Sequence, residues 1–211
     1  MVLATGVVPR QPAIEGLDHP KVLGYLDVLR DRAPVGERVA IVGAGGIGFD
    51  VAELLSHPAG EGPPDIATFA RDWGVDMDPA SAGGVTRPAP QAAARQVHLL
   101  QRKSGRPGAG LGKTTGWIHR AALQARGVTM TGGVSYRRIG DDGVEIETGG
   151  APATILADTV VICAGQEPER SLVAGLEAAG CTVHLIGGAD LATELDAKRA
   201  IDQGTRLAAA I

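Results

Sequence analysis

The chain has 211 residues, 44% apolar and 21% charged, with a formal net charge of -4 and a pI near 5.7. That length buries one or two cores, and the acidic balance removes any electrostatic case for nucleic acid or an anionic membrane as partner. No run approaches the roughly 18 apolar residues of a membrane span, and Met1 to Gly6 lacks the basic start and long apolar stretch of a signal peptide, so a cytoplasmic location is expected.

The first predicted element is an apolar strand, Val2-Leu3-Ala4-Thr5, turning at Gly6 into Val7-Val8-Pro9. Val39-Ala40-Ile41-Val42 then runs into Gly43-Ala44-Gly45-Gly46-Ile47-Gly48, a G-x-G-x-x-G turn from strand to helix. Gly43 permits the tight turn, Gly45 lets the backbone approach a pyrophosphate, and Gly48 lets helix and strand pack closely. Gly46 and Ile47 open the helix, whose unpaired N–H groups take the phosphate charge. Among 31 glycines the spacing alone is weak. The apolar strand before it and the helix after it favour a dinucleotide-binding turn over a structural corner. Val51, Leu54 and Leu55 fall on one face of that helix, which His57-Pro58 ends after Ser56.

A Pro-, Gly- and Ala-rich excursion follows to about residue 95, punctuated by Pro63-Pro64, Pro79, Gly83-Gly84, Pro88 and Pro90. Ile66, Phe69 and Trp73 form one apolar cluster able to pin it to the surface. It reads either as a functional lid or as a mobile insertion. Asp65 stands 20 residues after Gly45, the spacing of an NAD-binding acid, but Pro63-Pro64 leaves too little strand before it.

Gln96 to Gln101 is the second parallel strand, and it ends in Arg102-Lys103. An NAD site places a carboxylate there for the ribose 2′-OH, whereas a 2′-phosphate demands cations. Gln101, Arg102 and Lys103 therefore point to NADPH, against the plainer reading of a solvated basic edge. Gly110-Leu111-Gly112-Lys113-Thr114-Thr115 ends like a P-loop, yet Pro107 stands where its first glycine belongs and no strand precedes it. A flexible cationic loop beside the ribose is the better reading, with Thr114 or Thr115 capping a helix to Gln124. Gly127 to Met130 is a third strand, and Ser135 to Ala157 a three-stranded antiparallel ribbon with turns at Asp141-Asp142-Gly143 and Gly149-Gly150.

Thr159 to Pro168 repeats the opening pattern of apolar strand, glycine (Gly165), two residues and proline, which suggests two related units or two unrelated strand-turn segments. A final strand, Cys181 to Ile186, leads through Gly187-Gly188-Ala189-Asp190 into a helix ending near Ala208. Asp190 reads either as a ligand of flavin ribityl hydroxyls or as the N-cap of that helix. Cys163 and Cys181 form no C-x-x-C and the five histidines are scattered, so both cysteines read as small core residues and no metal site is expected. The element order is that of an α/β, Rossmann-like NAD(P)-binding domain of the two-dinucleotide-binding flavoprotein type, a parallel sheet plus an antiparallel three-stranded ribbon in three layers.

The glycine turn, Gln101-Arg102-Lys103, Gly110 to Arg120, Val161 to Pro168 and His184 to Asp190 together resemble the C-terminal part of bacterial NADPH-dependent 2,4-dienoyl-CoA reductases, members of the old yellow enzyme-like iron–sulfur flavoproteins. The resemblance covers nearly the whole chain, excursion included. It implies hydride transfer from NADPH to FAD, then electrons through a 4Fe-4S cluster to FMN, which reduces dienoyl-CoA in unsaturated fatty-acid β-oxidation. It also implies FAD contacts at Gly6, Gly188 and Asp190, with Gly165 a further cofactor-binding glycine.

Such reductases begin with an FMN-bearing barrel of roughly 250 residues, then cluster cysteines and a first glycine turn for FAD, and none of these is found in the 211 residues. The chain is thus expected to be a fragment. Residues 34–157 form its NADPH-binding domain, and residues 1–33 and 158–211 form remnants of a FAD-binding domain. FAD is expected to bind weakly or not at all, and FMN and 4Fe-4S to belong only to the full-length family. Unpaired edges on a sheet of Val2–Thr5, Val160–Cys163 and Val183–Ile186 invite homodimerisation. The alternative is a non-catalytic dinucleotide-binding or interaction module.

Overall fold

The computed structural model describes residues 1–57, 64–78, 80–193 and 196–211. Pro58, Pro63 and Pro79, three of the expected breakers, lie outside them. In chain order the elements are β1 (Val2–Leu3), β2 (Val7–Pro9), β3 (Val22–Gly24), α1 (Tyr25–Leu29), β4 (Arg38–Val42), α2 (Gly46–Ser56), α3 (Ile66–Trp73), β5 (Gln96–Gln101) and α4 (Gly116–Ala125). There follow β6 (Thr129–Gly132), β7 (Ser135–Gly140), β8 (Gly143–Thr148), β9 (Ala151–Leu156), β10 (Thr159–Ile162), β11 (Gln166–Pro168), α5 (Val173–Ala178), β12 (His184–Leu185) and α6 (Ala197–Ala208). The chain divides into two compact units, Ala13–Cys163 and a discontinuous one of Met1–Pro12 with Ala164–Ile211.

In Ala13–Cys163 a five-stranded sheet runs in the order β3-β10-β4-β5-β6, each neighbouring pair parallel. Its inner strands β4 and β10 are almost continuous apolar runs because both faces are covered. Val39, Ile41, Leu99 and Val161 pack with Phe49, Val51, Ala52 and Leu55 of α2 and with Leu123 of α4. Each fully buried Val, Leu, Ile or Phe side chain among them stabilises by roughly 1.5–3 kcal/mol. The expected face of α2 needs one correction: Leu54 is 47% exposed, because Phe49, Ala52 and Leu55 complete the stripe that meets the sheet.

The expected pairing of Val160–Cys163 with Val2–Thr5 and Val183–Ile186 is also corrected. β10 is buried along its whole length, which demands neighbours on both sides, and it finds them in β3 and β4. The ribbon β7-β8-β9 is antiparallel. Ile139, Val144 and Ile146 are buried, while Arg138 pairs with Glu145 at 2.6 Å and Arg137 with Glu147 on the outer face. In the excursion, Asp65 caps α3 by accepting the Thr68 N–H at 2.7 Å. Ile66 and Phe69 are 75% and 51% exposed, so they do not pin the segment as expected. Ala70 is the buried residue of α3, and the turn is closed by a Val75–Val85 bridge.

In the discontinuous unit, β1 pairs parallel with β12 and β2 antiparallel with β11. The two similar segments of the sequence therefore meet. Gly6 and Gly165 both have positive φ, +81° and +102°, and the strands they launch register Val7 against Pro168 and Pro9 against Gln166. The prolines sit at the ends of that short pair, where a missing N–H costs nothing.

Candidate nucleotide site

The glycines of the turn each have a separate physical reason. Gly43 has φ +113°, a conformation side chains resist, and its N–H donates to the Leu100 carbonyl at 2.9 Å, tying the turn to the end of β5. At Gly48 a Cβ would stand 1.9 Å from the Gly43 carbonyl oxygen, so this position is closed by packing. At Gly45 and Gly46 a Cβ would meet nothing within 4 Å. Gly45 has the ordinary φ of -82° and caps α2 without a side-chain bond, and the first turn of α2 carries no acid. The amides of α2 thus face open space with their partial positive charge uncompensated, which suits a pyrophosphate. Ile47 packs on the core from the same turn.

Beside this turn, the backbone of Gln101–Gly105 is held from several sides. The Gln101 side-chain amide donates to the Lys103 carbonyl at 3.0 Å. Gly133 and Val134, between β6 and β7, donate to the Lys103 and Gln101 carbonyls at 2.9 and 3.1 Å. Gly132 lies so close that a Cβ there would stand 2.2 Å from the Gly105 oxygen. Arg102 and Lys103 themselves are exposed and form no ion pair among the described residues. A cation pair on a fixed backbone with free side chains fits a phosphate.

Farther along the loop, Arg120 of α4 donates to the Gly108 carbonyl at 2.9 Å, a positioning contact that no motif announced. The expected side-chain cap by Thr114 or Thr115 is not formed: Thr115 occupies the cap position of α4 without a side-chain bond. The Gly112 carbonyl takes the Thr115 and Gly116 amides instead, at 3.2 and 2.7 Å. Cys163 is buried, and burial foremost, then the Asp50 charge, pushes its thiol up to about 12, so it stays protonated as a core residue. Among the described residues no group of three or more His, Cys, Asp or Glu side chains is arranged to hold a metal.

The remaining sequence candidates lie in the discontinuous unit. Gly6 has open space at its Cβ position, whereas a Cβ on Gly188 would press on Val7 at 2.7 Å and on the Gly6 backbone at 2.9 Å. Gly165 lies against Arg10, 3.4 Å from the Cβ position to the guanidinium, and Arg10 donates to the Ala164 carbonyl. Asp190 accepts from Gln203 of α6 at 2.6 Å, and the same Gln203 side chain accepts the Gly187 N–H at 2.7 Å. Asp190 is not the N-cap of α6. Asp196 is, accepting from the Arg199 N–H at 2.7 Å, because α6 starts several residues later than the glycine turn.

A parallel sheet with a side-chain-free glycine turn opening a helix defines a dinucleotide-binding α/β protein. The pyridine nucleotide-disulphide oxidoreductase family matches residues 1–196, and the chain belongs to that family of FAD/NAD(P)-dependent oxidoreductases. It is 26% identical over 189 residues to a metal reductase of Desulforamulus reducens, covering 90% of this chain and 27% of that protein. A shorter stretch of 61 residues is 44% identical to a cinnamate reductase of Clostridium sporogenes, 29% of this chain and 9% of that one. Among solved structures, a 2-naphthoyl-CoA reductase in complex with 2-naphthoyl-CoA shares the fold with a TM-score of 0.71 at 23% identity, over 100% of this chain and 26% of its own. The chain thus spans about a quarter of the length of the metal reductase and of the naphthoyl-CoA reductase. Among the described residues no helix is long and apolar enough to cross a membrane.

Proposed function

We propose that this chain is the NADPH-binding, electron-input portion of a cytoplasmic flavoprotein of the 2,4-dienoyl-CoA reductase type. The observation that carries it is the pair Arg102 and Lys103 on a backbone fixed by Gly133 and Val134, next to a turn whose Gly45 and Gly46 leave open space. On such a protein the bound cofactors supply hydride from NADPH to FAD and electrons onward through 4Fe-4S to FMN and the dienoyl-CoA. The residues present here orient the nucleotide: α2 amides and Gly45 receive the pyrophosphate, and the two cations receive the 2′-phosphate. The names of two relatives, a cinnamate reductase and a naphthoyl-CoA reductase, concern an unsaturated acid and an aromatic acyl-CoA, which supports a substrate of that class.

Gly6, Gly188 and Asp190 offer FAD contacts on the isoalloxazine and ribityl side, with Gly165 a further cofactor glycine, while the 211 residues contain no second G-x-G-x-x-G for its pyrophosphate. Their FAD affinity is accordingly weak, and reduction of the acyl-CoA belongs to the barrel of the full-length family. A second reading, a non-catalytic nucleotide-binding or interaction module, is favoured by the sparse core of the discontinuous unit, which buries only Leu3 and Ala189 among its described apolar residues. Such a unit suits a partner interface, including a second copy of this chain. The purified chain is expected to be colourless, to bind NADPH, and to show no NADPH-dependent loss of dienoyl-CoA absorbance with FAD and FMN added. Stoichiometric yellow flavin or any turnover would overturn the assignment of a partial flavin site.

A further inference from the structure

At the N-terminal edge of the parallel sheet, the first residues of β4, β5 and β6 line a cavity of about 560 Å³. The three strands run parallel, so the glycine turn that follows β4 lies at the opposite edge, roughly 13 Å away along the strand. The volume is in the range of small-molecule sites. Ala93 and Ala94 on the wall leave the space unfilled, and Arg38, Arg95 and Arg126 bring three guanidinium groups to the lining.

The backbones that carry these arginines are fixed. The Arg38 N–H donates to the Asp158 carboxylate at 2.9 Å, and its carbonyl accepts the Asp158 N–H at 2.8 Å. Gln96, next to Arg95, donates its N–H to the Glu37 carbonyl at 2.9 Å, and the Arg126 N–H donates to the Ala122 carbonyl at 3.1 Å. The three charges are answered unequally. Arg38 is paired with Asp158. Arg95 stands 3.5 Å from the Val35 and Leu55 carbonyls, at the C-terminal end of α2, where a cation suits the helix dipole. Arg126 occupies the cap position of α4, but its side chain forms no hydrogen bond or ion pair among the described residues, so capping does not account for the guanidinium. Glu37 also lines the cavity and forms no ion pair among the described residues. Burial lowers the pKa of His98 from its ordinary value, so this ring, bonded to the Thr131 hydroxyl at 2.9 Å, adds no charge at neutral pH. Three guanidinium groups thus stand against the carboxylates of Glu37 and Asp158, a local excess of cation in a chain whose net charge is -4.

We propose that this cavity binds a small organic dianion, with the paired anionic oxygens that a phosphate monoester or a dicarboxylate presents, held by Arg126 and Arg95 with Arg38 beside them. The planar guanidinium fork matches either oxyanion, and the volume leaves room for an organic body beyond the anionic group. The site is separate from the dinucleotide turn and does not rest on the nucleotide reading above.

The test is amide NMR of the full 211-residue chain, titrated with methyl phosphate and with succinate at constant ionic strength. The expected result is saturating shifts at the amides of Gln96, Val97, His98, Gly127 and Thr129, methyl phosphate alone marking a phosphate site and succinate alone a dicarboxylate site. Arg126→Gln and Arg95→Gln, made separately so that one misfolded variant leaves the other to read, should each weaken that binding about tenfold with NADPH affinity unchanged. Shifts that rise without saturation, shifts confined to Gly45 and Gly46, or variants that bind both probes as the parent does would each overturn the inference. The two edges of the sheet report through different amides, so failure of NADPH to bind would overturn the nucleotide reading alone.

Discussion

The two units differ most in how many apolar side chains they bury. In Ala13–Cys163 a large buried cluster, from Val39 and Ile41 to Leu99 and Leu123, holds the sheet. The candidate nucleotide glycines there, Gly45 and Gly46, are left open. In the discontinuous unit, one candidate flavin glycine, Gly188, is closed by Val7 while another, Gly6, is open, and α6 presents Ile201 at 68% exposure. A binding turn requires a core rigid enough to keep an empty place empty. The first unit has such a core, whereas the described residues of the second bury only Leu3 and Ala189 among their apolar side chains; the weaker FAD assignment rests on the single G-x-G-x-x-G of the 211 residues.

The sharpest way to break this comparison is to exchange the roles of two glycines in one turn. Gly48→Ala places a methyl group 1.9 Å from the Gly43 carbonyl and is expected to cost about 3 kcal/mol of stability, read as a Tm lowered by ~6–12 °C. Gly45→Val enters open space at an ordinary φ, so the Tm of the free protein should hold while affinity for NADPH falls about a hundredfold or more. A stability loss at Gly45 with no binding to lose would reduce the turn to a structural corner.

Next in size is the charge pair. Arg102→Ala removes one charge-assisted contact to the 2′-phosphate and should weaken NADPH by roughly 1.5–3 kcal/mol, about ten- to a hundredfold, with little change for NADH. Equal losses for both nucleotides in a calorimetric titration would return Arg102 to a solvated basic edge.

Local signals in the sequence carried most of the first unit. The strand-turn-helix at Val39–Gly48, the cation pair at the end of Gln96–Gln101 and the ribbon with its glycine turns are read from neighbours in the chain, where period and turn chemistry act. Long-range choices were illegible. The neighbours of β10 depend on β3, a three-residue strand too short to show a period. The bulge at Arg137 leaves no compositional mark. Asp190 reads as a cap because it precedes a helix, while its partner Gln203 lies nearly two turns into α6. The spacing of Ile66, Phe69 and Trp73 identifies a helical stripe without saying whether anything covers it.

The smallest expected effect sharpens the first unit alone. Asp158 is hydrogen-bonded by the Arg38 side chain first and its N–H second, which lowers its carboxyl from 3.8 to about 2. A depressed carboxylate contributes stability above its unfolded value, and that contribution is lost as the pH falls through about 2. The pair is solvent-exposed at 45% and 36%, so the contribution is small and screened by salt. Carboxyl NMR should find the midpoint of Asp158 near 2, and in Arg38→Gln displaced upward. A midpoint already at 3.8 in the parent would remove the pair as a clamp on the start of β4.

The central claim is that the Ala13–Cys163 unit is a built site for a 2′-phosphorylated dinucleotide. Calorimetric titration of the unmutated 211-residue chain with NADPH and with NADH tests it most directly. The account predicts saturable binding of NADPH with an affinity about ten- to a hundredfold above that of NADH. Equal affinities would contradict the role given to Arg102 and Lys103, and no binding of either would contradict the site itself.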